Sequence, residues 1–278
     1  MKTMRFLKNK ALWLILYAIT VTGVFLYLLF PSFLVLQRLE TAAVSAGWVL
    51  EAGSLNPSLP LGMKLKDLTV RSARTPSAAL FQGQLLDLQF NPVCIFQKSK
   101  TVRFKGRAYG GGFDGRAGFV FSERKYAPAE WKINFQNIDL ARYNLTGFTL
   151  FKGITGPARG SAFYVQDDAT SRSPIGKLSL YLGRGAYPLS EPFLGVSSIE
   201  FDRGEMQAQL KNGRVTLDKL DFYGARMNCF LNGEIQLADR VEESRLNLKG
   251  VLEIAGRSKI KINITIGGTL ASPAFRYI

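Results

Sequence analysis

The strongest pattern along the chain is an unbroken apolar run near its start. Residues 11–37 contain no charged side chain, and residues 11–30 are almost wholly apolar. A helix of about 20 residues, rising ~1.5 Å each, crosses a hydrocarbon layer of ~30 Å. Trp13 and Tyr27 stand near the two ends, where amphipathic rings suit membrane interfaces. Leu14, Ile15, Leu16, Tyr17, Val21, Phe25, Leu26, Leu28, Leu29 and Phe30 supply the apolar surface between and beyond them. The pattern predicts a basic N-terminal stretch over 1–10 and an uncleaved transmembrane signal-anchor over 11–32. Lys2, Arg5, Lys8 and Lys10 place the N-terminus on the cytoplasmic side. A cleaved signal peptide fits less well: its apolar core is usually ~7–15 residues, and the small-x-small triplet Val44-Ser45-Ala46 lies far past the run.

Pro31 predicts a kink or break where the span ends. Residues 33–47 then resume a helical, amphipathic pattern, with Leu36, Leu39 and Ala43 on one face, Val35, Ala42 and Ala46 beside it, and Gly47 as C-cap. This segment either packs on the domain that follows or continues the membrane helix.

Beyond residue 47 the period changes from 3.6 to 2. Ile260, Ile262, Ile264 and Ile266 alternate with polar residues, as do Trp131, Ile133 and Phe135, and Leu178, Leu180 and Leu182. The same alternation runs through residues 229–237, 246–254, 102–108 and 117–121. Such runs are strands with one apolar and one wet face. Gly110-Gly111-Gly112, Asp114-Gly115, Asn212-Gly213 and Asn232-Gly233 supply turn chemistry; Asn212-Gly213 reads as a two-residue hairpin, and Asn232-Gly233 equally as a bulge or bend. The alternation slips after Phe135 and after Leu217, which implies bulges. Residues 48–278 are therefore expected to be mainly β: an elongated, curved, mostly antiparallel sheet, closed as a partial barrel or open as a trough.

Composition narrows the chemistry. The chain has 278 residues, 47% of them hydrophobic, with two Cys and no His. No Ser-His-Asp or Cys-His system and no His-ligated zinc can be built, and two Cys cannot hold a four-Cys cluster. Asp167-Asp168 and Glu242-Glu243 are adjacent carboxylates in turn contexts, with no spacing for a shared acid–base site. Gly110-Gly111-Gly112 has no following Gly-Lys-Ser/Thr and is not a phosphate loop. These features point away from an enzyme, with no cofactor and no metal expected. Cys94 and Cys229 either pair in an oxidising compartment or stay apart, Cys229 then serving as a small buried hydrophobe.

Formal charge is +15, from 36 basic and 21 acidic residues; without the four N-terminal cations it is still +11, from 32 against 21. Such a surface suits anionic partners, and a translocated domain without a nucleic-acid-binding motif excludes nucleic acid. Arg103, Lys105 and Arg107 project from one face of a strand, opposite Val102 and Phe104. They read as an anionic contact, or as a solvated outer face that protects the sheet.

A polar turn, an alternating strand, a Gly and a further strand recur at residues 226–237, 244–254 and 261–270; Phe222-Tyr223-Gly224 stands ahead of Leu231-Asn232-Gly233-Glu234-Ile235-Gln236-Leu237, and the chain ends in Gly267-Gly268-Thr269-Leu270-Ala271-Ser272-Pro273-Ala274-Phe275-Arg276. With the basic start, the single span and Pro31, they resemble AsmA-like envelope proteins and, at this length, the type II secretion system protein N (GspN) family. The resemblance implies a non-enzymatic protein anchored once in the inner membrane, its bulk periplasmic, working with other secretion-apparatus proteins. AsmA-like relatives imply instead a β-groove that handles phospholipid or lipopolysaccharide. The expected groove lining is Phe104, Phe119, Ile133, Phe135, Leu178, Leu180, Leu246, Leu248, Ile262 and Ile264. A closed core would show the same pattern.

Overall fold

The computed structural model describes residues 10–59, 61–73, 79–91, 99–122, 125–143, 153–167, 172–193, 196–238, 240–255 and 260–277. Helix α1 (Lys10–Leu28) covers most of the apolar run, and after Lys10 it carries no charged residue. It has 19 residues, about 28 Å at 1.5 Å per residue, just under the ~30 Å of a hydrocarbon core. Among the described residues no helix is long and apolar enough to cross a membrane. The helix stops at Leu28, before Pro31 rather than at residue 32, because the residue preceding a proline is held out of the helical region.

Helix α2 (Ser32–Ser45) turns back onto the β-domain rather than continuing α1. Val35, Leu36 and Leu39, with Phe30 ahead of them, pack against the buried Leu55, Leu65 and Leu68. Gly47, at φ +84°, ends the helix, its N–H donating to the Val44 carbonyl.

The remainder is almost entirely strand: β1 (Trp48–Glu51), β2 (Ser54–Ser58), β3 (Gly62–Ser72), β4 (Ala79–Phe90), β5 (Ser99–Ala108), β6 (Gly111–Ser122), β7 (Lys125–Asp139), β8 (Pro157–Asp167), β9 (Arg172–Leu182), β10 (Gly185–Phe193), β11 (Val196–Phe201), β12 (Arg203–Lys211), β13 (Arg214–Tyr223), β14 (Met227–Gln236), β15 (Arg245–Ile254), β16 (Ile260–Gly268) and β17 (Pro273–Tyr277). Fifteen of these form one sheet, β2 and β1 both lying on β3 and the others following in chain order to β17. The single interruption is between β9 and β12, where β10 and β11 leave the sheet as a separate hairpin. Every pairing is antiparallel. The outermost strands do not pair with each other, so the sheet is open and the barrel alternative is not adopted.

Two hairpin turns have positive φ at both central residues: Asn212 (+54°) with Gly213 (+69°), and Tyr109 (+52°) with Gly110 (+80°). That is the geometry of a type I′ turn, whose twist matches the flanking strands. Gly111 and Gly112 already belong to β6, and Asp114-Gly115 and Asn232-Gly233 lie inside β6 and β14. Gly115 makes room for a ring, as described below, whereas Gly233, at φ +141°, lies opposite the register shift between Leu217 and Leu220, the bulge alternative. The phase slips are bulges: the register shifts between Phe135 and Ile138, with Asn137 at φ +53°, and between Leu217 and Leu220.

Candidate functional site

Residues directly opposite each other on paired strands share a face of the sheet. Tracing the register across strands gives a continuous line of apolar positions. Phe104, Gly115, Ile133, Ala162, Leu178 and Ala208 face one another from β5 to β12. Leu217, Gly233, Leu248, Ile266 and Phe275 carry the line on to β17. In the other direction it reaches Leu88 and Met63. Two residues along each strand is a second line: Leu65, Leu86, Gly106, Phe113, Phe135, Gly160, Leu180, Met206, Leu220, Leu231, Gly250, Ile264 and Tyr277. A third runs from Ile138 through Ala158, Leu182, Phe222, Cys229 and Leu252 to Ile262. A fourth runs from Phe90 and Val102 through Trp131, Tyr164, Leu210, Val215 and Ile235 to Leu246. No charged residue occurs in any of the four. At ~4.8 Å between strands, the first line spans on the order of 50 Å.

The lines stay level because glycine stands where an aromatic ring must lie flat on the neighbouring strand. A Cβ at Gly106 would meet the Phe113 ring, at Gly115 the Phe104 ring, and at Gly160 the Phe135 ring. Each ring therefore occupies its cross-strand partner's place on the apolar face, and Phe81, Phe113 and Phe104 meet edge-on or tilted at 5.7 and 6.3 Å.

Coverage of this face is uneven. At the N-terminal end α2 lies over it. At the C-terminal end Leu217, Cys229, Leu246, Leu248, Leu252, Ile264 and Ile266 are buried in one cluster. There the β10–β11 hairpin and the segment around Leu140, Tyr143 and Ile154 rise over the sheet, and between them and β9, β12–β17 lies an apolar cavity of about 220 Å³. Its lining holds no Asp, Glu, Lys or Arg, and includes Tyr143, Tyr187, Tyr277 and Cys229. It reaches the sheet edge at Phe275 and Tyr277, which remain 39% and 49% exposed. Burial holds the Tyr143 and Tyr187 hydroxyls above their usual range. Burial, followed by the negative charge of Asp221, pushes the Cys229 thiol up to about 12.

The structure places all ten expected groove residues on this one face. Leu180 and Ile264 line the cavity together with Leu248. Phe104, Phe119, Ile133, Phe135 and Leu178 lie farther along the face and are half-buried. The covering residues Tyr187, Ile199, Leu140 and Ile154 carried no sequence signal of their own, since they come from short segments that break the meander. Arg103, Lys105 and Arg107 are exposed on the opposite face. Of the membrane-anchor set, Trp13, Leu14, Ile15, Leu16, Tyr17, Phe25, Tyr27, Leu28 and Leu29 are exposed large apolar side chains, and Val21 is half-buried. The Leu26 side chain lies outside the described residues. Phe30 departs from the set by packing on the β-domain. Cys229 is a free, buried thiol, and Cys94 lies outside the described residues.

Comparison with protein-family models, with curated proteins and with solved structures gave no match.

Proposed function

We propose that this protein is a membrane-anchored, non-enzymatic carrier of acyl chains, holding the hydrocarbon of a phospholipid or lipopolysaccharide along its apolar trough. The observation that carries the reading is the set of four charge-free lines crossing the sheet and leading into a cavity open at β17. The cavity is below the ~300–1,000 Å³ of ordinary small-molecule pockets, which suits one slender chain. Each methylene taken from water contributes ~0.8 kcal/mol, so a short stretch of chain gives useful affinity with no polar contact.

The anchor is α1. Most of its described large apolar side chains are exposed, and Leu29 extends the apolar stretch past the helix end. A stretch slightly shorter than the hydrocarbon core is met by local thinning and by flanking cations such as Lys10 reaching to the headgroups. The N-terminal cations would then be cytoplasmic and the sheet periplasmic.

The test is photocrosslinking of full-length protein with a phospholipid carrying a diazirine in its acyl chain. Crosslinked peptides are expected from β9 and β12–β17. Leu180→Lys, at a half-buried lining position, is expected to lower that yield about tenfold with its urea midpoint retained. Crosslinks confined to α1, or an unaffected variant, would sink the groove.

An accessory role in type II secretion is the second reading, favoured by the phrases at residues 222–237 and 267–276. It predicts that deletion lowers export of secreted enzymes; unchanged export removes it.

A further inference from the structure

The outer face of the sheet carries its charge in two different ways. On β12–β16 three cations are neutralised locally, Lys219 with Glu205 at 2.6 Å and Asp221 at 3.4 Å, Arg214 with Glu234 at 3.0 Å, and Lys261 with Glu253 at 2.7 Å, although Lys211 stands opposite Arg214. On β5–β9 Lys105 stands between Asp87 and Asp114, but the next row has no carboxylate in it. Arg103 stands directly opposite Arg116, and Arg116 opposite Lys132. Lys132 faces Phe163, and Phe163 faces Lys177. All four cations are exposed, and no carboxylate among the described residues lies within ion-pair distance of them. Like charges directly opposite each other on adjacent strands oppose folding. The row stacks cations across three strands, and the nearest carboxylates on this face, Asp114 and Glu130, stand two residues along β6 and β7 from it, so the row presents net positive charge to something outside the molecule.

The same patch exposes apolar side chains that a purely solvated face has no need of. Phe163 is 36% exposed between Lys132 and Lys177, and Ile175, on the same face of β9, is 44% exposed. Cations with aromatic and aliphatic side chains among them are the composition of surfaces that sit in the headgroup layer of an anionic bilayer. An acidic protein partner would satisfy the cations, but it gives no reason for Phe163 to stand exposed in the row.

We infer that the outer face of β5–β9, centred on Arg103, Arg116, Lys132, Lys177 and Phe163, is a docking surface for an anionic membrane. The inference uses no property of the trough and holds whether or not the trough carries lipid. It rests on the anchor reading only for the design of its test.

The full chain is held in zwitterionic nanodiscs, so that α1 is already occupied, and is sedimented with vesicles of phosphatidylcholine alone or phosphatidylcholine with phosphatidylglycerol. Binding is expected only to the anionic vesicles and is expected to fall as salt is raised. A variant with Arg103→Gln, Arg116→Gln, Lys132→Gln and Lys177→Gln is expected to lose about fivefold in partitioning for each cation removed. Its urea midpoint should be unchanged or higher, because like-charge pairs have been relieved. Phe163→Ser, with all charges kept, is expected to weaken binding severalfold. A control with Lys66, Arg245, Lys249 and Arg276 changed to Gln carries the same net charge and is expected to bind as the unmodified chain does. Equal binding of the patch variant, equal loss in the control, or no preference for anionic vesicles would overturn the inference. Capture on polyglutamate without capture by anionic vesicles would also overturn it and assign the patch to an acidic protein. A chain that stays out of the discs counts against the anchor alone, and is then sedimented with the same vesicles directly.

Discussion

Phe113 on β6 lies where a side chain at Gly106 on β5 would be, and this exchange recurs at Phe104 with Gly115 and at Phe135 with Gly160. Gly106→Val is therefore expected to destabilise the protein by about 1–3 kcal/mol, read as a lower urea midpoint, because the added methyls meet a ring that has no free volume to enter. Cys229 gives a second residue-scale expectation. Its thiol is buried among Phe222, Leu252 and the cavity lining and is held up to about 12. Alkylation by iodoacetamide at pH 8 should proceed only as fast as local opening of the protein. The raised value also has a sign: the unfolded thiol ionises near 9 while the folded one stays neutral. Stability from this site is whole below about 9 and is lost as pH climbs toward 12. On the outer face, Glu205 is held below the usual carboxylate range by its hydrogen bond from Lys219. Its contribution is present above the ordinary carboxylate range and disappears as acid protonates it. A Glu205→Gln protein should accordingly show a flatter loss of stability on the acid side.

At the scale of elements, α2 links the apolar N-terminal run to the sheet. Leu36 and Leu39 share a cluster with Leu55, Leu65 and Leu68, so α2 closes the end of the trough nearest α1. A Leu36→Asp, Leu39→Asp double variant is expected to speed hydrogen exchange in β1–β4 and to leave β13–β16 protected, since the two regions belong to separate clusters. Uniform deprotection would show that α2 stabilises the whole sheet instead. The terminal phrase at residues 267–276 acquires a local explanation. Gly268, at φ +81°, starts a turn in which the Thr269 hydroxyl accepts from the Ser272 N–H, and Pro273 opens the edge strand β17, where a missing N–H costs no ladder bond on the free side. Ser244, fully buried, lies beneath that turn, its carbonyl accepting from the Leu270 N–H and its hydroxyl from the Ala238 N–H.

For the whole molecule, the meander order means that each strand contacts mainly its chain neighbours, and the apolar lines form only because strands pair in a matching phase over thirteen successive pairings along one sheet. The bulges at 135–138 and 217–220 preserve those lines: without the extra residues, the strand segments beyond would present their polar set to the trough. Deleting Asn137 is expected to misplace Ile138 from its line with Ala158 and to lower acyl-chain crosslinking in β8 and β9 while β14–β16 remain structured. The two faces divide the work expected of the sheet, hydrocarbon along the four charge-free lines and anionic surface on the outer side of β5–β9.

The sequence alone determined the classes of element and the faces. Period-two alternation at 102–108, 131–135, 178–182, 229–237, 246–254 and 260–266 marks strands, and its parity assigns Phe104, Leu180 and Ile264 to one side and Arg103, Lys105 and Arg107 to the other, because side chains alternate whatever the partner strand is. Its phase slips located the bulges at 135–138 and 217–220 for the same reason. Turn-capable glycines were ambiguous, since a glycine that permits positive φ and one that makes room for a ring look alike in one dimension. Only the tertiary structure distinguished Gly110 from Gly115, left the sheet open rather than closed, folded α2 back onto β1–β3, and lifted β10–β11 off the meander to roof the cavity. It also showed which cations lie opposite carboxylates and which lie opposite one another. Those outcomes depend on register between residues far apart in the chain, which local patterns do not encode.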